Sequence, residues 1–160
     1  MLSFVYGTLK RGQPNHHLLQ NPSNGKGKYL GTAKTYEKWP LVVGSRHNIP
    51  YILDCPGKGH NVMGEVFEID NTMLAALDRL EGHPIYYQRT DIKVTLVQDA
   101  DGNPLQNQTP ITCMFYVLRN FKDHMMELPF IEEYKNGIPL KYNPHSDRDE
   151  DDHRVDVMHI

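Results

Sequence analysis

Short apolar stretches recur along most of the chain and predict strands, and in residues 91–97 apolar and polar positions alternate, as in a strand covered on one side. The first strand is Ser3–Tyr6, and Gly7 ends it. Further strands are predicted at residues 29–36, 41–43, 51–53, 62–69, 91–97 and 111–118. Glycine, proline and polar residues separate these stretches, as they do between the strands of a sheet.

One segment has the spacing of a helix instead. Asp70 provides an N-cap, and apolar residues predicted to face the core then recur every three or four positions. These apolar residues are Met73, Leu74, Leu77 and Leu80, and Gly82 and Pro84 end the segment. Residues 16–20 predict a helical turn, and residues 121–134 a partly helical stretch. Many short strands with one strong helix, and no regular βαβ alternation, predict an α+β fold whose sheet curls towards a barrel.

Charge divides the chain unevenly. The 160 residues carry a net charge of −3, but residues 146–160 alone hold six acids and two bases, a net charge of −4, which leaves +1 for residues 1–145. We therefore predict a single domain over residues 1–145 and an acidic, solvated and flexible tail over residues 146–160. A nearly neutral body lacks the basic patch of a nucleic-acid-binding protein, so no nucleic-acid partner is expected.

The sequence favours the cytoplasm. Lys10 and Arg11 follow the N-terminal apolar run instead of preceding it, so no signal peptide is visible. No stretch approaches the roughly 20 apolar residues of a membrane-spanning helix, so no membrane partner is expected. Cys55 and Cys113 lack the spacing of a disulfide framework or a zinc site, and we interpret both as reduced thiols in strands.

The turn after the first strand is the first candidate for chemistry. A strand that runs into Gly7 lets the backbone pass close to a ligand, and the following N–H groups can converge on an anion or a carbonyl oxygen. The segment lacks the second glycine and the Lys-Ser/Thr pair of a phosphate-binding loop. On pattern alone, a plain strand followed by a turn is the favoured interpretation.

Glu81 is the second candidate. It lies at the predicted C-terminal end of the helix, where the helix dipole disfavours an ionised carboxylate. Shielding by neighbours such as Leu80 and Tyr86 would raise its pKa further, which suits a general base that later acts as an acid. Asp78, one turn earlier, is the competing carboxyl. From the pattern alone, a solvated residue at the helix end is the favoured interpretation of Glu81.

The remaining candidates are weaker. The nine histidines match no metal-ligand spacing, and no His-Glu-x-x-His motif occurs, so no metal site is expected. Cys55 with His60 could form a nucleophile and base, but a cysteine in a strand is more often part of the core.

Several collinear segments together resemble a known family. They are residues 4–16, 47–50, 64–66, 87–90 and 142–144. The short Tyr-Gly-Thr-Leu motif resembles the γ-glutamylcyclotransferase-like (AIG2-like) family, and the longer Lys-Arg-Gly-Gln-Pro-Asn-His run and the Tyr-Asn-Pro motif resemble its γ-glutamylamine branch. The chain departs from the family pattern at Gly82 and His83, beside the glutamate, and in the acidic extension beyond Pro144, to which we assign no partner.

The resemblance implies a small mixed barrel with flanking helices and a cofactor-free enzyme that releases 5-oxoproline from small γ-glutamyl substrates. It implies Glu81 as the catalytic acid and base, and it implies substrate-binding residues Tyr6, Gly7, Thr8, Leu9 and Lys10. A pocket rim is expected at Gly82, His83, Tyr87 and Tyr142. Two alternatives stay open: a cyclotransferase for γ-glutamyl amino acids or glutathione, and a non-catalytic ligand- or protein-binding module on the same fold.

Overall fold

The structure is a computed structural model, and it describes residues 1–137, 140–142 and 153–159. In these ranges the strands and α-helices are β1 (Leu2–Val5), α1 (His17–Gln20), β2 (Gly27–Thr35), β3 (Leu41–Gly44), β4 (Ile49–Ile52), β5 (Met63–Ile69), α2 (Asn71–Glu81), β6 (Gln88–Asp99) and β7 (Ile111–Val117). Short 3₁₀ helices occur at Pro22–Asn24, Asp123–Glu127 and His153–Asp156.

Five strands close into a barrel in the order β1-β5-β2-β6-β7. Four neighbouring pairs are antiparallel, whereas β1 and β7 run parallel, with Ser3 opposite Met114. β3 and β4 form a separate two-stranded antiparallel sheet. The predicted α+β fold with a mixed, barrel-like sheet is confirmed.

Apolar residues cover both faces of the barrel wall. Phe4, Val66 and Phe115 belong to one buried cluster, and their sequence neighbours on the opposite face belong to a second. Helix α2 joins the second cluster through Met73 and Leu77, so it packs against the outside of the barrel. Asp70 caps this helix as predicted, because its side chain accepts a hydrogen bond from the Met73 N–H at 2.8 Å.

Two predictions about single residues are wrong. Leu80 has the spacing of a core residue, but 42% of its surface is exposed, since the last turn of α2 borders a cavity. Cys55 lies outside the strands and is partly exposed, whereas Cys113 is buried in β7; both thiols are free.

The end of the chain returns to the body. Residues 143–152 lie outside the described residues, so the predicted flexible tail stays a prediction there. Residues 153–159 are described, and they differ from a solvated segment because Val157 is fully buried and Met158 is 6% exposed. Both side chains pack in the same buried cluster as Met73 and Leu77 of α2.

Candidate active site

A cavity of about 230 Å³ lies between the turn after β1 and the C-terminal end of α2. This volume is below the roughly 300–1,000 Å³ of pockets for drug-sized ligands, so the cavity suits a smaller molecule. The predicted site residues that line it are Tyr6, Gly7, Thr8, Leu9, Glu81, Gly82, Tyr87 and Tyr142. The fold thus brings together residues from four separate parts of the chain.

Glu81 is the last residue of α2, and Gly82 ends the helix in a left-handed conformation, with φ of 63°. Glu81 lines the cavity and is half-buried. Burial raises the pKa of Glu81 to about 7. A carboxyl group with a pKa near neutrality can accept a proton and return it in the same reaction cycle.

In the turn after β1, residues 7–10, the carbonyl and N–H groups differ in their hydrogen bonding. Its carbonyl groups are occupied, since the Gly7 carbonyl accepts from the Lys10 N–H at 3.1 Å and the Thr8 carbonyl from the Asn15 N–H at 2.8 Å. Asn15 also donates its side-chain amide to the Thr8 hydroxyl at 3.0 Å. Within the part of the chain that the structure describes, the N–H groups of Gly7, Thr8 and Leu9 donate to no acceptor. Such a run of N–H groups suits an anion or a developing oxyanion.

Tyrosines also line the cavity, and hydrogen bonds hold several of their hydroxyls. The Tyr6 hydroxyl donates to the Tyr116 carbonyl at 2.6 Å, and the Tyr87 hydroxyl donates to the Pro50 carbonyl at 3.1 Å. Tyr51 and Tyr86 share a hydrogen bond between their hydroxyls at 2.5 Å. Burial raises the pKa of Tyr6 and of Tyr87 far above the usual value, so both hydroxyls stay protonated and cannot act as bases near neutral pH.

Comparison with known proteins decides the family. The family described as gamma-glutamyl cyclotransferase, AIG2-like, matches residues 3–136. The chain belongs to this family. A gamma-glutamylaminecyclotransferase of Mus musculus is 42% identical over 148 residues, which cover 91% of this chain and 97% of the relative. One of Homo sapiens is 40% identical over 151 residues, with 92% and 99% covered.

A solved structure agrees with the fold. The crystal structure of an AIG2-like protein from Mus musculus superposes with a TM-score of 0.83 at 40% identity, covering 92% of this chain and 97% of that one. The family resemblance and the enzyme class predicted from the sequence are therefore confirmed.

Two predicted site residues of this cyclotransferase lie outside the cavity lining. The Lys10 ammonium is buried and donates to the Tyr134 carbonyl at 2.6 Å, and burial lowers its pKa. Its own N–H is already bonded to Gly7, so neither group of Lys10 faces a ligand. His83 accepts a hydrogen bond from the Arg89 N–H at its Nδ1, 3.0 Å away, and does not line the cavity.

The carboxylate of Asp78, the competing candidate, is hydrogen-bonded within the cyclotransferase. Its Oδ1 accepts from the Tyr116 hydroxyl at 2.7 Å and from Arg89 Nε at 3.0 Å. Of the two candidate carboxyl groups, Glu81 lines the cavity and Asp78 does not.

Several lining residues have no signal in the local sequence. They include Asn15, Ile49, Pro50, Arg79, Tyr116, His153 and Arg154. Asn15, Ile49 and Pro50 stand in segments that resemble the family, but the pattern assigned them no role. Tyr116, His153 and Arg154 reach the cavity only through long-range folding.

A second cavity, of about 460 Å³, is larger but lacks this chemistry. It is lined by Tyr36, Glu37, Trp39, Asp91, Ile92, Lys93 and Thr112, and it contains none of the predicted site residues. None of the helices in the described ranges has the length and apolar character that crossing a bilayer requires.

Proposed function

We propose that this enzyme is a γ-glutamylamine cyclotransferase, which releases 5-oxoproline and a free amine from L-γ-glutamyl amides such as γ-glutamyl-ε-lysine. The observation that carries the proposal is that Glu81 lines the same cavity as Gly7, Thr8 and Leu9. Burial raises the pKa of Glu81 to about 7, and the N–H groups of the three turn residues donate to no acceptor among the described residues. The names of the mouse and human relatives support an amine as the leaving group.

In the proposed reaction the substrate supplies its own nucleophile. The α-amine of the glutamyl group attacks the γ-carbonyl carbon, and the five-membered lactam ring forms as the bond to the amine breaks. The protein needs no serine or cysteine nucleophile for this chemistry. Its main task is to fold the glutamyl chain into the attacking conformation, where intramolecularity supplies much of the rate.

Glu81 transfers the protons. As a carboxylate it takes a proton from the α-ammonium, and as an acid it gives a proton to the departing nitrogen. In total two protons leave the attacking nitrogen and two reach the amine, so Glu81 ends the cycle in its starting ionisation state. Such acid–base catalysis contributes a factor of ~10²–10⁴.

The N–H groups of Gly7, Thr8 and Leu9 bind an anionic group of the substrate. That group is the α-carboxylate, or the oxyanion that develops when the carbonyl is attacked. The proposed partner is thus a small γ-glutamyl compound, without nucleic acid or membrane. Two free thiols, at Cys55 and Cys113, support the cytoplasm as the compartment.

The test is turnover of L-γ-glutamyl-ε-lysine by the purified protein, followed as 5-oxoproline and free lysine. Glu81→Gln keeps the shape of the side chain but cannot transfer protons, so we expect product formation to fall by at least ~10²-fold. Glu68→Gln is the matched control, because Glu68 is exposed on β5 and lies outside the cavity.

Product from the wild type and the control, but not from Glu81→Gln, supports the proposal. Near-normal turnover by Glu81→Gln with an intact fold would remove Glu81 from the mechanism. If the wild type is inactive, γ-glutamyl amino acids and glutathione are tested next. Binding of γ-glutamyl compounds without product would favour a binding module instead.

A further inference from the structure

Residues 153–159, here called the C-terminal segment, form part of the cavity wall. His153 and Arg154 line the same cavity as Glu81. The match to the family covers residues 3–136, so the C-terminal segment lies outside it. The cavity of this enzyme is therefore shaped partly by residues that the family match does not include.

A charged contact fixes the C-terminal segment to the turn between β3 and β4. The Asp156 carboxylate accepts from the Arg46 N–H at 2.9 Å and from the Arg46 guanidinium at 2.8 and 2.9 Å. This pairing lowers the pKa of Asp156 to about 2, so the contact persists across neutral pH. The contact lies close in sequence to Ile49 and Pro50, which also line the cavity.

Further contacts hold the C-terminal segment along its length. The Lys122 N–H donates to the Val157 carbonyl at 2.6 Å, and the Asn120 side chain donates to the His159 carbonyl at 2.6 Å. The His153 ring meets the Tyr86 ring edge to face, with 5.7 Å between ring centres. With Val157 fully buried, these contacts define one docked position for the segment.

The C-terminal segment brings a cation to the cavity. Arg154 lies there together with Arg79, which comes from the last turn of α2. The proposed function assigns the N–H groups of Gly7, Thr8 and Leu9 to the glutamyl group or its oxyanion. Arg79 and Arg154 line the same cavity, so their guanidiniums remain for the amine part of the substrate.

We infer that Arg154, with Arg79, binds a carboxylate on the leaving amine, so that the enzyme prefers γ-glutamyl conjugates of amino acids to those of the same amines without a carboxylate. The inference rests on the proposed function. A guanidinium matches a carboxylate with two parallel hydrogen bonds. Its five N–H donors allow Arg154 to keep a protein partner while it binds the substrate.

A matched pair of substrates tests the inference. L-γ-glutamyl-ε-lysine and the γ-glutamyl conjugate of 1,5-diaminopentane differ only in the carboxylate of the leaving amine. We expect the wild type to have the higher kcat/KM for the lysine conjugate. Arg154→Met should lower that preference about 10-fold, mainly through KM, as the loss of a hydrogen bond between charged groups predicts. Arg154→Lys should restore part of it.

The control is Arg119→Met, because Arg119 pairs with Asp54 at 3.3 Å and does not line the cavity. It should keep the wild-type preference. If Arg154→Met does not fold, as judged by its thermal unfolding, Arg79→Met tests the same inference and should lower the preference in the same direction.

The outcomes distinguish a failure of the inference from a failure of the proposed function. Turnover of both conjugates with an unchanged ratio in Arg154→Met overturns the inference and leaves the proposed function standing. Equal slowing of both conjugates also overturns it, since it would assign Arg154 to the glutamyl group. No 5-oxoproline from either conjugate in the wild type overturns the proposed function and the inference together.

Discussion

Two carboxyl groups on the last turns of α2 have different environments, although they are only three positions apart. Asp78 is held by hydrogen bonds from Tyr116 and Arg89. Glu81 borders the cavity, and burial raises its pKa. The sequence predicts both as candidates, because a helical pattern gives the spacing of side chains but not their long-range partners. The partners of Asp78 lie on β6 and β7, and Asp78 does not line the cavity.

Asp78→Asn tests this difference at the scale of one residue. The amide keeps an oxygen acceptor but loses the charge that strengthens both hydrogen bonds, so we expect about 1–2 kcal/mol less stability. Turnover should fall less than 10-fold, since Asp78 transfers no proton in the mechanism. Urea unfolding and the 5-oxoproline assay measure the two effects. A loss of turnover as large as that of Glu81→Gln, in a folded protein, would move the catalytic role to Asp78.

The turn after β1 is an element whose glycine is required for space. A Cβ atom at Gly7 would come within 2.7 Å of Cγ of Pro50, on β4. That distance is too short for carbon atoms, so the turn or the proline ring must move. Both line the cavity, and a displacement there would also move the N–H groups of Gly7, Thr8 and Leu9.

Gly7→Ala should therefore lower kcat/KM by at least about 10-fold, because small misplacements of binding groups are costly for catalysis. Gly12→Ala is the comparison: its φ of 78° strains an alanine, but the added carbon meets no atom within 4 Å. It should lose stability without the loss of kcat/KM. Equal kcat/KM for Gly7→Ala and the wild type would show that the position of the turn is unimportant.

Elements were predictable from the sequence where local pattern decides them. The strands and the Asp70 cap of α2 follow from alternation and capping. The exposure of Leu80 was not predictable, since residues that line a cavity and residues of a core have the same helical spacing. The burial of the Lys10 ammonium was not predictable either, because its partner, the Tyr134 carbonyl, is 124 positions away. The docking of the C-terminal segment depends on Arg46, 110 positions before Asp156, which no local composition reveals.

At the scale of the whole molecule, barrel closure places the site. The parallel pairing of β1 with β7 puts the start of the chain beside the strand that carries Tyr116, whose carbonyl accepts from Tyr6. Helix α2 then adds Glu81 from outside the barrel. The alternation in the sequence predicts strands but not this order, and the family resemblance supplied what the pattern left open.

The raised pKa of Glu81 makes the stability of the whole molecule depend on pH. The pKa of Glu81 is 4.5 in the unfolded chain and about 7 in the folded one. Between these values the unfolded chain releases a proton that the folded protein keeps, so stability falls as pH rises and levels off above pH 7. The shift corresponds to about 3 kcal/mol. Water at the open side of the cavity reduces the effect to about 2 kcal/mol.

Glu81→Gln removes this titration, so its advantage in stability over the wild type should grow from pH 5 to pH 8 by about 2 kcal/mol. The free energy of unfolding in urea, measured at several pH values, gives the difference directly, with Glu68→Gln as the control. A difference that does not change with pH would mean that the Glu81 carboxyl titrates alike in both states. An advantage that grows with pH, in a variant without turnover, would show that the enzyme keeps a destabilising group because the reaction requires it.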